Sequence, residues 1–373
     1  MRCHRLTALL ALPALAVVPG VQAADPFLSP PGVAQVGMSG AGVAGPGGVA
    51  SVWHNPATLV DGDTRVAVEW HQGSDRSSSG DLSRQPRGWL LGASFVNRDK
   101  WYGTVATGIA FYTPHTKKQW VAEVPQGNTA FGRTNITTQV IGLPYAIEFD
   151  DLGLSLGVVG ELYSVDASGT DLRVKRRDGE VREVAVDDDQ NVGISGALGF
   201  RYELVAEAGR TLDLGGVWRA PALAGGEVGV DSSRAALLAP EKPGGWDLGL
   251  HGTLALEDER VLGATLQYAV TDWGDSGTMG RLTLGGSYQR PFGETLLFRG
   301  GEATFRGGIT RFSASEAEGW MDWPEGTSLA VGLGIAFDSA VTFDFSLVRR
   351  SEERSAFSDQ SGTFVGLGVG VPF

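Results

Sequence analysis

Residues 362–373, at the C-terminus, read GTFVGLGVGVPF. Apolar side chains at Val365, Leu367 and Val369 alternate with glycine. In an extended chain, one face is therefore apolar and the other has almost no side chains. The stretches 329–337 (LAVGLGIAF) and 341–347 (VTFDFSL) show the same period of two, which is typical of β-strands. In a β-sandwich, large side chains on the inner face pack against the second sheet. Here the face opposite the apolar side chains carries glycine and polar residues, as in a membrane barrel whose outer face contacts lipid and whose inner face lines a lumen.

The same alternation, followed towards the N-terminus, predicts fourteen strands, an even number as in bacterial single-chain barrels. Tight connections such as 150–151 and 257–258 alternate with long ones such as 166–190 and 220–244. Short periplasmic turns and long external loops produce this rhythm, so we predict an all-β transmembrane antiparallel barrel of about fourteen strands. The predicted strands are 64–73, 87–97, 101–112, 136–148, 152–165, 191–204, 211–219, 245–256, 259–271, 280–291, 301–312, 326–337, 341–350 and 361–373.

Aromatic residues cluster at the predicted strand ends, where rings suit the lipid–water interface. The alternative interpretation is that single members fill an ordinary core. These residues are Trp70, Trp89, Trp101, Tyr112, Trp218, Trp246, Trp273 and Phe373.

Residues 1–23 resemble a secretory signal peptide, with Arg2 and Arg5 ahead of an apolar run at 6–18 and small residues at 21–23. The run is shorter than the roughly 20 residues that a spanning helix needs. We therefore exclude this segment from the fold and predict export to the bacterial outer membrane.

Composition excludes several classes of function. The only cysteine, Cys3, lies in the predicted signal, which excludes disulfides and cysteine-ligated metals from the mature chain. Removing two of the 30 basic residues with the signal leaves 28 against 43 acidic ones, which argues against nucleic acid as a partner. We predict no cofactor and no metal.

Residues 24–63 do not alternate and are too apolar for a disordered tail. A compact plug inside the lumen would explain their small residues, and Asn55-Pro56 would set a sharp turn because the residue before proline avoids the helical region. A plain turn is the alternative interpretation. The predicted domains are thus the signal peptide 1–23, an N-terminal luminal hatch 24–63 and the barrel 64–373.

Three motifs resemble the FadL-type family of hydrophobic-compound transporters. A Gly/Ala-rich stretch at 37–42 precedes the triplet Asn55-Pro56-Ala57; residues 214–221 read LGGVWRAP; and the strand 262–273 ends in Thr-Asp-Trp. The resemblance implies an outer-membrane transporter for hydrophobic molecules such as long-chain fatty acids, gated by the hatch at Asn55, Pro56 and Ala57, with passive diffusion and lateral release. The N-terminus also resembles PorV-type barrels that assist protein secretion.

The sequence offers parts for each step of such transport. An apolar patch in the outer loop, with Leu223, Ala235, Leu237 and Leu238, would meet the substrate, although loop packing explains these residues equally well. Arg219 would bind a carboxylate head group through a bidentate contact. The alternative is that luminal charges pair to hold the plug and stiffen the wall. The charges predicted to face inward are Glu69, His71, Glu161, Arg201, Asp213, Arg219, Asp247, His251, Arg281, Arg306 and Asp344.

The resemblance places the lateral gap at the third strand, which carries Gly103 and Gly108 and is followed by Pro114. Pro144, inside the fourth strand, is a better candidate for broken pairing because proline cannot donate a ladder hydrogen bond.

Three rival functions stay open. Catalysis is not expected, since none of the histidines after the signal (His54, His71, His115 and His251) lies in a hydrolase or zinc context. A general porin would not need an apolar hatch, and a secretion-accessory barrel would need a protein partner. We expect a monomer in outer-membrane lipid with hydrophobic small molecules or fatty acids as ligands.

Overall fold

The computed structural model describes residues 32–45, 47–78, 82–100, 103–124, 128–175, 179, 181–184, 189–221, 244–272, 278–293, 300–314, 325–338, 340–353 and 360–373. Fifteen strands account for most of them. In chain order they are β1 Arg65–Ser77, β2 Leu82–Lys100, β3 Gly103–Val124, β4 Asn128–Phe149, β5 Leu154–Lys175, β6 Val181–Val184, β7 Asp189–Glu207, β8 Arg210–Arg219, β9 Gly244–Ala255, β10 Val261–Asp272, β11 Thr278–Phe292, β12 Gly301–Ala314, β13 Glu325–Phe337, β14 Thr342–Glu353 and β15 Gln360–Pro372.

Fourteen of these strands close into one antiparallel barrel. Each pairs with its neighbours in chain order, β5 pairs with β7, and β1 pairs with β15 from Arg65↔Pro372 to Ser77↔Gln360. The four-residue β6 pairs with β5 beyond the wall. The predicted fold class and strand number are therefore confirmed.

The outer face carries the apolar members of the alternation. Val68, Leu266 and Leu367 are 50%, 45% and 49% exposed, because they point away from the lumen along their strands. Trp70, Trp89, Trp218 and Phe373 are exposed on the same face, as the interface prediction requires, and Trp246 packs its ring against Tyr268. Trp101 and Trp273 lie outside the described residues.

The interface prediction was wrong for Tyr112. Its side chain is 3% exposed and its ring lies 5.4 Å from that of Trp53, inside the barrel. A position near the end of a strand does not determine whether a side chain faces lipid or the lumen, because side chains alternate between the two faces. In β3 the outward positions are those of Ile109 and Phe111.

Strands β3, β4 and β5 each have 22 residues, far more than the predicted 101–112, 136–148 and 152–165. The long loop predicted at 113–135 is mostly strand, with Val124↔Asn128 closing the hairpin. The apolar pattern that marks a strand ends with the bilayer, whereas the backbone ladder continues through polar residues beyond it. The alternation of apolar residues therefore underestimates strands that project from the membrane.

Residues 32–63, here called the N-terminal segment, lie inside this wall. They form two single-turn helices, α1 (Val33–Val36) and α2 (Ser51–His54), followed by the 3-10 helix η1 (Pro56–Asp61). Val33, Ala57 and Leu59 are fully buried. No helix in the described part of the chain is long and apolar enough to cross a membrane.

Candidate functional site

A belt of inward glycines receives the N-terminal segment. A Cβ at Gly157 would collide with the backbone of Ala57, and a Cβ at Gly308 would lie 2.5 Å from the Met38 carbonyl group. The bare face of the alternation is thus a packing surface: glycine lets two backbones approach more closely than any side chain would. The wall glycines in contact with the segment are Gly92, Gly142, Gly157, Gly199, Gly215, Gly249, Gly285, Gly308, Gly332, Gly366 and Gly368.

Asn55 joins two parts of the segment to the wall. Its Nδ2 donates to the carbonyl oxygens of Val43 at 2.7 Å and Phe200 at 2.9 Å, and its Oδ1 accepts from the Ala57 amide at 3.0 Å. The backbone of Asn55 is extended, as the following proline requires, and Pro56 begins η1. The predicted turn is confirmed, and the gating role of Asn55, Pro56 and Ala57 stays a prediction.

Arg219 also binds the segment. Its guanidinium donates to the carbonyl oxygens of Trp53 (3.1 Å from Nε) and His54 (2.6 Å), and it contacts Asp247 at 3.1 Å. The side chain is 8% exposed. Its donors are therefore directed at the segment and the wall, and contact with a substrate carboxylate stays a prediction. Of the other residues predicted to bind substrate, Leu223, Ala235, Leu237 and Leu238 lie outside the described residues.

Two wall side chains accept hydrogen bonds from the segment's free amides, which the sequence analysis did not foresee. Glu69 Oε2 accepts from the amides of Gly32 at 2.6 Å and Val33 at 3.1 Å. Gln267 Oε1 accepts from the amides of Gly42 at 3.0 Å and Val43 at 3.2 Å. Both acceptors satisfy backbone groups that irregular chain would otherwise bury unpaired.

Opposite luminal charges pair, as the alternative interpretation predicted. Arg306 binds Asp344 at 2.6 Å, and Arg201 binds both Asp213 of the wall and Asp61 at the end of η1. Burial raises the pKa of the Asp61 carboxyl from 3.8 to about 6, against the lowering influence of Arg201. Arg201 therefore fixes the C-terminal end of the segment to the end of the wall that carries the short turns.

A small apolar pocket lies between α2 and the wall. Its volume is about 10 Å³, close to the minimum that holds one water molecule. The surface that lines the pocket is entirely apolar, and the buried Tyr112 hydroxyl has no hydrogen-bond partner among the described residues. The lining residues are Val49, Ala50, Val52, Trp53, Leu90, Ala110, Tyr112, Val140, Gly142 and Glu161.

The wall beside this pocket has an interrupted ladder. Between β3 and β4 the pairs run to Thr107↔Tyr145 and resume at Ala110↔Gly142, so the step at Leu143-Pro144 is unpaired. Pro144 lacks an amide hydrogen, and its carbonyl accepts instead from the Thr107 hydroxyl at 3.1 Å. The prediction of broken pairing at Pro144 is confirmed, and the break lies next to two pocket-lining residues, Ala110 and Gly142.

Comparison with solved structures places this arrangement among known barrels. A FadL homologue from Pseudomonas aeruginosa superposes with a TM-score of 0.58, at 13% identity, over 95% of this chain and 100% of that one. This chain has the FadL-type fold. The Pseudomonas putida toluene transporter TodX (TM-score 0.56, 12% identity, 93% and 98% covered) and the monoaromatic hydrocarbon channel CymD (0.51, 14%, 95% and 98%) are also similar.

No family model matches the sequence, and no curated protein does. At 12–14% identity the likeness of this FadL-type barrel to its neighbours concerns the fold. The named neighbours are transporters or channels.

Proposed function

We propose that this protein takes up hydrophobic molecules, long-chain fatty acids among them, across the bacterial outer membrane by passive diffusion. The N-terminal segment acts as the hatch, and the molecule leaves sideways into the membrane between β3 and β4. The observation that carries the proposal is the break in the ladder at Pro144, directly beside an apolar pocket whose other side is the hatch.

The size of the pocket supports gating. A volume of about 10 Å³ is far smaller than the roughly 300 Å³ of a typical small-molecule site. Val49, Val52 and Trp53 belong to the segment and form one side of the pocket. A hydrophobic molecule therefore enters only when α2 withdraws, which couples ligand binding to hatch movement.

Both fatty acids and aromatic hydrocarbons fit the proposal. The lining of the pocket and the contacts of Arg219 predict which of the two is taken up faster. The lining of the pocket is apolar, so it offers no hydrogen-bond partner to an anionic head group, which would be costly to desolvate. Arg219, the residue predicted to bind a head group, would first have to release Asp247 and the carbonyls of α2. We therefore expect faster uptake of a neutral aromatic such as toluene than of oleate, since the apolar pocket gives the anionic head group no partner.

Lateral release can be tested by restoring the missing ladder donor. Pro144→Val supplies an amide at the break, and we expect it to lower uptake of radiolabelled toluene severalfold in cells lacking their own transporter. The matched control is Pro291→Val, the same change at the periplasmic end of β11, away from the pocket. Uptake by Pro144→Val equal to that of the wild type would contradict lateral release.

The same cells distinguish this function from two of the three rivals, the general porin and the secretion-accessory barrel. A general porin would admit a hydrophilic sugar as readily as toluene, and uptake would not depend on Pro144. A secretion-accessory barrel would transport neither and would co-purify with a large exported protein.

A further inference from the structure

The outer surface carries arginines at the level where its apolar belt ends. On β14 the outward residues Phe343, Phe345 and Leu347 are followed by Arg349. On β12 the outward Ile309 is followed by Arg311, which is also exposed. In each strand the arginine occupies the next outward position after the last lipid-facing residue.

Neighbouring strands continue this band. On β2, Arg87 precedes the outward Trp89 and Leu91, and on β1 the outward position beyond Ser74 is Arg76, which pairs with Ser361. All these arginines lie near the end of the barrel that carries the extended β3–β5 hairpins, opposite the short turns. Short turns are periplasmic in bacterial barrels, so the band faces the outer leaflet.

Hydroxyl groups fill the spaces between the arginines. The register places Thr363 of β15 between Arg349 and Ser74, and Arg349 donates to the hydroxyls of Thr363 and Ser361 at 3.2 Å each. Strands lie about 4.8 Å apart, so the band from β12 to β2 spans about 25 Å along the wall. Hydroxyls and guanidinium groups are both hydrogen-bond donors suited to phosphate oxygens.

Among the side chains that the structure describes, no ion pair joins Arg87, Arg311 or Arg349 to a carboxylate. The chain as a whole is strongly acidic, with 43 acidic and 30 basic residues. The opposite wall differs, since outward positions near the outer ends of β7 and β8 carry Val192 and Trp218. At this end of the barrel the arginine band therefore distinguishes β12, β14, β1 and β2 from β7 and β8.

We propose that this band, Arg76, Arg87, Arg311 and Arg349 with the hydroxyls between them, binds the phosphate groups of a phosphorylated lipid in the outer leaflet. The acyl chains of that lipid would lie on the apolar belt directly below, and its phosphates would reach the guanidinium groups at the belt's edge. Arginine near a membrane surface gains from anionic headgroups, and its planar group can bind two phosphate oxygens at once. The surface is separate from the lumen and does not depend on the transported molecule.

The test compares lipid A carrying two phosphates with the same lipid after enzymatic dephosphorylation, each added in detergent micelles to the purified full-length mature protein. Native mass spectrometry measures the bound lipid. We expect the wild type to bind the phosphorylated lipid at least about tenfold more tightly. Raising the salt concentration should reduce that preference, because exposed charges are screened.

The triple variant Arg87→Gln, Arg311→Gln, Arg349→Gln should lose the preference for phosphorylated lipid. Its matched control is Arg290→Gln, an outward arginine at the periplasmic end of β11, which should keep it. Heat-modifiable mobility on a gel confirms that each variant is folded.

Retention of the preference by the folded triple variant would overturn the proposal, as would an equal loss in the Arg290→Gln control. Inorganic phosphate at millimolar concentration should not displace the lipid. Full displacement would show a site for free anions and would also overturn it.

Discussion

At the residue scale, the decisive feature of the lumen is how each buried polar group is satisfied. Asn55, Gln267 and Glu69 hydrogen-bond to backbone groups of an irregular segment that has few of its own. Leaving a buried polar group unpaired costs about 1–3 kcal/mol. The contacts of these three side chains therefore stabilise the segment in one position inside the barrel.

The sequence predicts the local conformation and the face of such residues but not their distant partners. The turn at Asn55-Pro56 could be predicted because proline restricts its neighbour locally, and the inward position of Arg219 followed from the alternation. The partners of Glu69 and Gln267 could not be predicted, since they depend on where a non-repeating segment crosses a curved wall. For Arg219, alternation gave the face but not the partner, which is α2 and Asp247.

The partial desolvation of Asp61, which outweighs the opposite influence of Arg201 on its pKa, predicts a dependence of stability on pH. The pKa of Asp61 is about 6 in the folded protein and 3.8 ordinarily, so the folded state binds a proton in this window before the unfolded chain does. The contribution of Asp61 to the free energy of unfolding is then fully present below pH 3.8 and is lost as the pH rises through about 6.

Asp61→Asn removes this proton and should flatten the dependence of unfolding free energy between about pH 4 and 6. Denaturant titrations in detergent at several pH values measure it. Asp63→Asn is the matched control, because that carboxylate is 60% exposed, and it should leave the slope unchanged. An unchanged slope in Asp61→Asn would contradict the assignment.

At the element scale, the strands have two functions that the same alternation encodes. The apolar residues face lipid, and the glycines opposite them receive the N-terminal segment. The pattern predicted the number and order of strands because burial in hydrocarbon selects one face of each. It did not predict the length of β3, β4 and β5, whose backbone ladders continue beyond the predicted strands.

Two glycines of β5 lie on opposite faces of the strand, one facing the N-terminal segment and the other facing outward. Gly157 faces the segment, and a Cβ there would collide with the backbone of Ala57; Gly160 faces outward with nothing within 4 Å. Gly157→Ala should lower the unfolding free energy by about 1–3 kcal/mol, as overpacking typically does, and displace the end of the segment. Gly160→Ala, the control, should change little.

Denaturant unfolding and leakage of a small hydrophilic dye from proteoliposomes measure both effects. We expect increased leakage with Gly157→Ala only, because its added methyl group moves the hatch from the wall. Equal stability and leakage in the two variants would show that close packing at Gly157 does not position the segment.

At the scale of the whole molecule, a closed barrel wall surrounds an internal segment that fills part of its lumen. The ladder between β3 and β4 is interrupted at Pro144, and the segment occupies the lumen at the same level through α2. The closed barrel could be predicted from the sequence since every strand repeats one signal. The position of the break relative to the pocket could not, because it brings together β3, β4 and a segment distant in the chain.

Reversible cross-linking of the N-terminal segment to the wall tests directly whether uptake requires the segment to move. Ser39 of the segment and Ser328 of β13 have hydroxyl oxygens 3.3 Å apart, near enough for two cysteine sulfurs to form a bond of about 2.05 Å with a small shift. The chain's only native cysteine is Cys3, in the predicted signal peptide, so Ser39→Cys with Ser328→Cys gives a single defined cross-link in a protein that begins at residue 24. Each single variant serves as a control.

If hydrophobic molecules pass only when the segment moves, the oxidised double variant should take up toluene at the background rate. Reduction should restore uptake to the rate of the single variants. Wild-type uptake by a fully cross-linked protein would contradict hatch gating.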